Sequence, residues 1–374
     1  MNFSKKKTPE NKSMRIDVHE IAASVADFGT ILPILFAAAM IAKINLGLVL
    51  VFLAVWYVIT GLVYRIPIPV EPMKAIGAII IAGGATAGEV AASGITIGLL
   101  FLVLGIARGM KYIQNLIPLA VIRGVQLGLT LILLKTSFRF ITADPLFSGL
   151  GISVIVIFFL LNRYRKVPDF SALIIIVGGI ALSLWTRGLP GLSPVAVAIP
   201  VISFPRDFLS SGWRLVLPQV PLTIANAILA TSLLAKDLFN RDVDSDKLSV
   251  TIGLMNLASA PLGGFPMCHG AGGMAAHYRF GGRTGGTNIV AGIILLVFAF
   301  FFSDAATVAS LPQGMFGALL VFVALELGKH GIKTESPVLT GAMALAALFF
   351  NMTAAFAGGL VVVWILKRFG ITVK

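Results

Sequence analysis

The 374-residue chain contains a single cysteine, Cys268, and this excludes an intrachain disulfide. Charged residues are also scarce, because Asp, Glu, Lys and Arg make up 12% of the chain while apolar residues make up 57%. Soluble globular domains carry about 25% charged residues, so this composition excludes them. The sequence is therefore predicted to be an integral membrane protein.

Catalytic and nucleotide-binding motifs are missing as well. The sequence has no Walker A loop, no H-E-x-x-H and no G-x-S-x-G, so direct coupling to ATP hydrolysis and two common hydrolase sites are excluded. A Cys–His dyad of Cys268 and His269 with Asp27 is not expected either, because adjacent residues at a helix start do not reliably face each other. We predict that the protein is not an enzyme and uses no cofactor or metal ion.

Apolar segments of membrane-spanning length recur along the whole chain. A helix rises about 1.5 Å per residue through a hydrocarbon core about 30 Å thick, whereas a barrel would show alternating segments of about 10 residues. The predicted fold is an all-α polytopic membrane protein. Its fourteen candidate spans are residues 18–41, 44–63, 72–84, 91–107, 118–136, 150–162, 170–186, 212–235, 248–263, 268–278, 286–303, 312–328, 337–351 and 353–367.

Basic residues predict the orientation of these spans. An even number of spans puts both termini on one side, and most of the 29 Lys and Arg residues lie in the tails and loops of that side. The positive-inside rule then predicts a multi-pass protein of the cell membrane with both termini in the cytoplasm, and no cleaved signal peptide is expected. We attribute the net charge of +13 to this topology and to anionic lipid, not to nucleic-acid binding. The basic residues predicted on the opposite side are Lys43, Lys135, Arg139, Arg187, Arg206 and Arg214.

The third and tenth candidate spans are too short to cross the membrane. Each follows a segment rich in Pro and Gly, "RIPIPVEPMKAIGA" (65–78) and "GGFPMCHGAGGMAAHYRFGGR" (263–283). The two segments hold corresponding places in two halves of seven spans, and a half with an odd number of spans must insert upside down when it is duplicated. Paired interrupted segments in such a 7+7 inverted repeat indicate a transporter with its site near the membrane midplane.

The two short spans are predicted to begin at a common anion site. Pro72 suits the first position of a helix, and the free N–H groups that follow it would face those of the "CHGAGG" segment. Two helix N-termini, each with about half a positive charge, attract an anion. The alternative is that both segments are ordinary Pro/Gly kinks. The predicted binding residues are Met73, Lys74, Ala75, Cys268, His269, Gly270, Ala271 and Gly272.

Polar side chains on spans 8 and 1 add further candidates. Gln219, Thr223 and Asn226 follow helical spacing on span 8, and we add Thr223 and Asn226 to the predicted substrate-binding set. Carboxylates are costly inside a membrane, so Asp27 and Glu71 are predicted coupling residues, with a structural pair involving Lys74 as the alternative. His277 is left open between a site residue and a cytoplasmic cap with the neighbouring arginines.

Three segments carry a resemblance to a known family. "PIPVEPMKAI" (67–76) resembles a P-x-P-V-Q-P-M-K motif, "VADFGTILP" (25–33) looks like a G-D-L-G-T-x-x-P stretch, and the 263–283 segment is similar to the second signature of molybdate transporters related to the sulfate permease superfamily. The resemblance implies the fold of uracil permease, in which a core domain carries substrate between half-helices 3 and 10 against a gate domain. The expected boundaries are a tail 1–15, core parts 16–110 and 206–303, and gate parts 111–205 and 304–374.

One residue departs from the family pattern, because Glu71 stands where the family has Gln. An ionised carboxylate beside an anion is repulsive, so anion binding favours protonated Glu71, which can then donate the hydrogen bond that a Gln amide supplies. The sequence thus predicts a secondary transporter of a tetrahedral oxyanion, molybdate or sulfate, with alternating access, a proton as coupling ion and a homodimeric assembly. The alternatives are a nucleobase or bicarbonate carrier of the same fold, or an anion channel.

Overall fold

The computed structural model describes residues 14–113, 118–165, 169–187, 199–301 and 312–369, together with residues 195 and 197. Within these ranges the chain is mostly helical. The first part contains α1 Val18–Ser24, α2 Phe28–Ala42, α3 Leu46–Tyr64, β1 Glu71–Pro72, α4 Lys74–Gly83, α5 Ala87–Ile106, α6 Met110–Ile113, α7 Leu119–Ala143, α8 Pro145–Arg165 and α9 Ser171–Arg187. The second part contains α10 Arg206–Phe239, α11 Ser245–Ser259, β2 Met267–Cys268, α12 Ala271–Arg279, α13 Gly286–Phe301, α14 Gln313–Gly331, α15 Pro337–Phe349 and α16 Met352–Arg368.

The described helices make this a multi-pass membrane protein. By length and composition, seven of the described segments are able to cross a membrane, counting α1 and α2 as one segment. Four further apolar helices of 10–17 residues accompany them. Each of the fourteen candidate spans overlaps a helix, although residues 302–303 at the end of one span lie outside the described ranges. The number of membrane crossings stays a prediction.

Glycines bring the long helices into close contact. Gly61 of α3 packs on the loop before α13, where an added Cβ would lie 2.7 Å from the Gly285 carbonyl oxygen. Gly98 of α5 packs on α11, and a Cβ there would lie 3.0 Å from the Leu257 backbone nitrogen. Small residues favour helix association in membranes because the two backbones can approach each other. The pairs α3 with α13 and α5 with α11, together with α7 against α14 and α15, form most of the helix packing.

A short antiparallel ladder joins the two Pro/Gly-rich segments. Glu71 lies opposite Cys268 and Pro72 opposite Met267, and the Met73 N–H donates to the Pro266 carbonyl at 2.9 Å. Each strand leads into a short helix, so the predicted short helices of spans 3 and 10 are confirmed as α4 and α12. The strands themselves were not expected from the sequence, and the fold is mostly helical rather than all-α.

Two predicted helix boundaries are wrong. Span 1 is not one continuous helix, because backbone hydrogen bonds from Ala26 to Ala23 and from Phe28 to Val25 tighten the chain into a turn over residues 25–27. Asp27 therefore lies at the start of α2. Pro72 is not the first residue of α4, since it belongs to β1 and Met73 is the residue that precedes the helix.

Candidate functional site

The Glu71 carboxylate lies where the two broken segments meet. Its side chain is only 1% exposed. One carboxylate oxygen accepts the Gly273 N–H of α12 at 3.2 Å, and the other pairs with the Lys74 ammonium at the start of α4. A Cβ at Gly270 would overlap this carboxylate, so only glycine fits there. One acidic side chain thus links the N-termini of both half-helices.

Asp27 adds a second buried carboxylate to this cluster. One of its oxygens accepts a hydrogen bond from the Thr30 hydroxyl, while the other is buried and has no hydrogen-bond partner within the described chain. The Asp27 and Glu71 carboxylates lie close together at Gly273, where an added Cβ would meet both, and they repel each other by charge. The cluster therefore holds two carboxylates and one ammonium, and its ion pair joins Lys74 to Glu71, not to Asp27.

A glutamine occupies the other helix start. The Gln219 side-chain oxygen accepts the Ala75 N–H at 2.9 Å and the Ile76 N–H at 3.4 Å. Its amide nitrogen donates to the Thr223 hydroxyl at 3.0 Å, so Thr223 positions Gln219. The expectation of free N–H groups at this start is wrong for Met73 and Ala75, since one donates to a backbone carbonyl and the other to Gln219. Each half-helix start is thus occupied by a side-chain oxygen.

A cavity of about 190 Å³ lies beside this cluster, and we call it the central cavity. Four of the predicted site residues line it, namely Asp27, Lys74, Asn226 and Gly272. A Cβ added at Gly272 would meet no atom within 4 Å, so this glycine faces open space. Met73, Ala75, Cys268, His269, Gly270, Ala271, Thr223 and Glu71 do not line the cavity in this conformation.

Asn226 reaches the cavity because α10 is not a regular α-helix. Residues Thr223–Ala230 form a π-helical segment, in which hydrogen bonds span five residues and the 3.6-residue spacing is lost. The stripe predicted along span 8 is therefore split. Gln219 and Thr223 bond to each other, while Asn226 turns to the cavity. Wide turns of this kind frequently occur at functional sites.

Both ring nitrogens of His269 have protein partners in this conformation, so its assignment to the binding site stays a prediction. One ring nitrogen contacts the Thr251 hydroxyl at 2.8 Å and the other lies 3.0 Å from the Pro69 carbonyl. The ring also packs edge-on against Tyr64. His269 therefore fastens β2 to the segment before β1. His277 is fully buried, and neither of its ring nitrogens has a hydrogen-bond partner in the described chain.

Some residues of the site were not predicted from the sequence. Gln219 was noted on the stripe but was not assigned to the site, and Gly273 was not singled out as the donor to Glu71. Gln126 of α7 and Arg279 of α12 line the central cavity. Gln126 carried no signal, since a single amide in an apolar span has no distinctive spacing. Arg279 was considered only as part of a cap.

The chain resembles known proteins along most of its length. A family model described as "Molybdate transporter of MFS superfamily" matches residues 19–133 and 211–327. Molybdate transporter 1 of Arabidopsis thaliana is 32% identical, with 87% of this chain and 82% of that protein covered. The chain belongs to the molybdate transporter family. Other similar family members include molybdate transporter 2 of Arabidopsis thaliana, 28% identical over 93% of this chain and 87% of that protein, and molybdate transporter 1 of Chlamydomonas reinhardtii, 27% identical over 91% and 90%.

Solved structures show the same fold as this molybdate transporter family member. The transmembrane domain of the cyanobacterium bicarbonate transporter BicA superposes with a TM-score of 0.66 at 17% identity, covering 93% of this chain and 96% of that one. The murine Slc26a9 anion transporter in the inward-facing state gives 0.71 at 13% identity, covering 97% and 70%. At such identities the likeness concerns the fold alone.

Proposed function

We propose that the chain is a secondary active transporter that moves a tetrahedral oxyanion, molybdate first and sulfate next, by alternating access. The observation that carries this proposal is the meeting of two interrupted segments, through the β1–β2 ladder, beside a cavity that contains Lys74. Irregular backbone at membrane depth is tolerated where it lines a cavity. Membership in the molybdate transporter family supports molybdate as the first substrate to test.

The size of the central cavity agrees with this substrate class. Its volume of about 190 Å³ would hold several water molecules at about 30 Å³ each. An oxyanion of five heavy atoms fits into such a space with room for some hydration. The open face at Gly272 lets a ligand approach the backbone of α12 closely.

The charges around the cavity favour proton coupling. Its lining carries the carboxylates of Asp27, Asp169 and Glu326 beside the cations Lys74 and Arg279. Of these charges, Lys74 is paired with Glu71, and Glu326 is paired with Lys329. A dianion entering this lining meets like charges, and its binding becomes more favourable when a carboxylate takes up a proton.

We therefore propose that protonation of Glu71 opens the site. Neutral Glu71 no longer holds the ammonium of Lys74 by charge, and its uncharged oxygen is a weaker acceptor for the Gly273 N–H, so an oxyanion can compete for both donors. Both groups then become available to the oxyanion, at the start of both half-helices. A proton that enters with the substrate and leaves with it is a symported proton.

The topology and the domain boundaries of the transporter are also proposals. We propose fourteen spans in a 7+7 inverted repeat, core parts 16–110 and 206–303, gate parts 111–205 and 304–374, and cytoplasmic termini. The packing supports the repeat, because spans 2 and 4 of the first half contact spans 11 and 9, the symmetry-related counterparts of spans 4 and 2. Exchange of labelled for unlabelled substrate at equilibrium separates this carrier from a channel.

Direct binding of molybdate, sulfate and uracil to the purified protein tests the substrate. A charge-assisted hydrogen bond contributes about 1.5–3 kcal/mol, so Lys74→Met is expected to weaken molybdate binding by roughly ten- to a hundredfold while the protein stays folded. Isothermal titration with each ligand measures the affinity, and a thermal unfolding curve shows whether the variant is folded. Binding of uracil without either oxyanion would overturn the substrate class. Unchanged affinity in the variant would assign Lys74 to a structural pair with Glu71.

A further inference from the structure

A second cavity lies at the other end of the helices that border the central cavity. Its volume is about 390 Å³, and its lining includes residues of α4, α7, α10 and α15 and the start of α16. Lys74 of α4 and Gln126 of α7 line the central cavity, whereas Ile79 of α4 and Ile132 of α7 line the second one. At about 1.5 Å per residue, the two cavities are offset by roughly 8 Å along both helices.

The second cavity is basic. Lys135, Arg139 and Arg214 line it, and no acidic residue does so among the residues that the structure describes. Arg214 donates to the Glu89 carboxylate at 3.1 Å and to the Gly84 carbonyl at 2.9 Å, so its charge is partly compensated. Lys135 and Arg139 have no ion pair or side-chain hydrogen bond within the described part of the chain.

The two unpaired cations are exposed and lie on the same face of α7. Lys135 and Arg139 are four residues apart on α7, and like charges at this spacing destabilise a helix by about 0.2–0.5 kcal/mol unless an anion compensates them. The helix α16 begins at the same cavity, where Asn351 caps it by accepting the Ala354 N–H at 2.8 Å. The partial positive charge of that helix start adds to the basic lining.

The wall between the cavities is buried, and it includes apolar side chains of α4 and α7 beside the Gln219 amide, which accepts the Ile76 N–H. Ile76 of α4 and Leu129 of α7 lie between the two sets of lining residues and are both fully buried. Gly128 lets α7 pack tightly, since a Cβ there would lie 2.8 Å from the Ala347 side chain of α15. The second cavity therefore approaches the same site from the opposite face of the protein, without joining the central cavity in this conformation.

We propose that the second cavity is a vestibule that binds a tetrahedral oxyanion dianion through Lys135 and Arg139, on the face opposite the central cavity. This inference rests on the proposed oxyanion transport. The two cavities differ in the charges of their linings. The basic vestibule attracts the dianion alone, whereas the central cavity, which carries both carboxylates and cations, accepts the dianion together with a proton. A basic cleft with apolar walls raises the local concentration of an anion and its rate of association.

Uptake of labelled molybdate by cells that produce the full chain tests the vestibule. We expect the double substitution Lys135→Gln with Arg139→Gln to lower the initial uptake rate at low ionic strength by about tenfold and to flatten its salt dependence, because steering by exposed charges is screened by salt. Lys135→Arg with Arg139→Lys keeps both charges and should restore the wild-type rate.

Lys43→Asn provides the matched control. Lys43 is an exposed cation on the same face, since α2 runs parallel to α4, with Asp27 near Lys74 and Ile34 near Gly77. Asparagine tolerates the left-handed backbone of this position. This variant should retain the wild-type rate and salt dependence.

The outcomes separate the vestibule from the proposed function. If wild-type protein binds molybdate and Lys74→Met weakens that binding, but the double variant keeps the wild-type uptake rate and salt dependence, the vestibule is wrong and the transporter stands. If purified wild-type protein binds neither molybdate nor sulfate, the proposed function itself fails. Equal losses in the double variant and in Lys43→Asn would also contradict a specific vestibule.

Discussion

Glu71 engages two donors that the proposed oxyanion would need. Its carboxylate accepts the N–H of Gly273 and pairs with Lys74, which are the two kinds of donor that an oxyanion needs. Gln219 does the same at the α4 start with an uncharged oxygen. These donors are therefore already occupied, and a substrate must compete with the side chains of Glu71 and Gln219 for them. Because Glu71 can be protonated, its competition makes the affinity for the substrate depend on pH. Gln219 does not titrate, so its competition is independent of pH.

Replacement of Glu71 tests this difference. Glu71→Gln keeps an oxygen that can accept the Gly273 N–H but removes the titratable charge, so we expect molybdate binding to persist and its pH dependence to flatten between about pH 5 and 8. Equilibrium binding and initial uptake, each measured across that range, provide the readout. A variant that retains the wild-type pH profile in both would contradict coupling through Glu71, and Asp27→Asn would then be the next variant to test.

Among single residues, the charged members of the site could be predicted from the sequence, whereas the partners of its uncharged members could not. Glu71, Lys74 and Asp27 stand out because each is a charge in an apolar chain, and the structure brings them together. The role of Gln219 was not predictable in the same way, because its partner Ala75 is 144 residues away. The contact of His269 with the Pro69 carbonyl was not predictable either, since the position of a residue at a helix start does not tell which way its ring points.

The ladder between β1 and β2 is the element that holds the site together. Asn256 of α11 supports it from behind, donating to the Met267 carbonyl at 2.7 Å and accepting the Met267 N–H at 2.9 Å. The side chain thus acts as a third strand for one residue of β2. Both of these backbone groups are buried, so they have no water to replace the amide.

Loss of this support is expected to destabilise the protein. Asn256→Ala leaves the N–H and carbonyl of Met267 unpaired, and each buried unsatisfied group costs about 1–3 kcal/mol. We expect a lower thermal unfolding temperature in detergent and weaker molybdate binding. Ser259→Ala is the matched control, because the Ser259 hydroxyl contacts only the Met255 carbonyl of its own helix. If Asn256→Ala unfolds at the same temperature as the control, the ladder does not depend on this amide.

Short elements were partly predictable. The half-helices α4 and α12 follow from apolar runs that are too short and from the Pro and Gly residues before them. Strands of two residues carry no alternating pattern, so nothing in the sequence marks Met267 and Cys268 as a strand. The π-helical segment at Thr223–Ala230 was not predicted for a similar reason, since a wider helical turn changes the spacing of side chains without requiring particular residue types.

The whole molecule has a predicted orientation that can be measured. Lys43 follows the first predicted span and Lys333 follows the twelfth, and both side chains are exposed. In a Cys268→Ala background, Lys43→Cys should react with a membrane-impermeant thiol reagent added to intact cells, whereas Lys333→Cys should react only after the membrane is opened. An odd number of predicted spans, the second to the twelfth, separates the two positions. Labelling of both from the outside would therefore contradict the predicted topology with cytoplasmic termini.

The two cavities have an electrical consequence. Where both are filled with water, the membrane potential falls mainly across the thin buried wall around Ile76 and Leu129 rather than across the full thickness of the bilayer. Moving one elementary charge through 100 mV involves about 2.3 kcal/mol, so a dianion alone would meet about twice that amount in this short step. Two accompanying protons cancel the voltage dependence, and one leaves half of it. Uptake currents at clamped voltage would therefore report the stoichiometry of coupling directly.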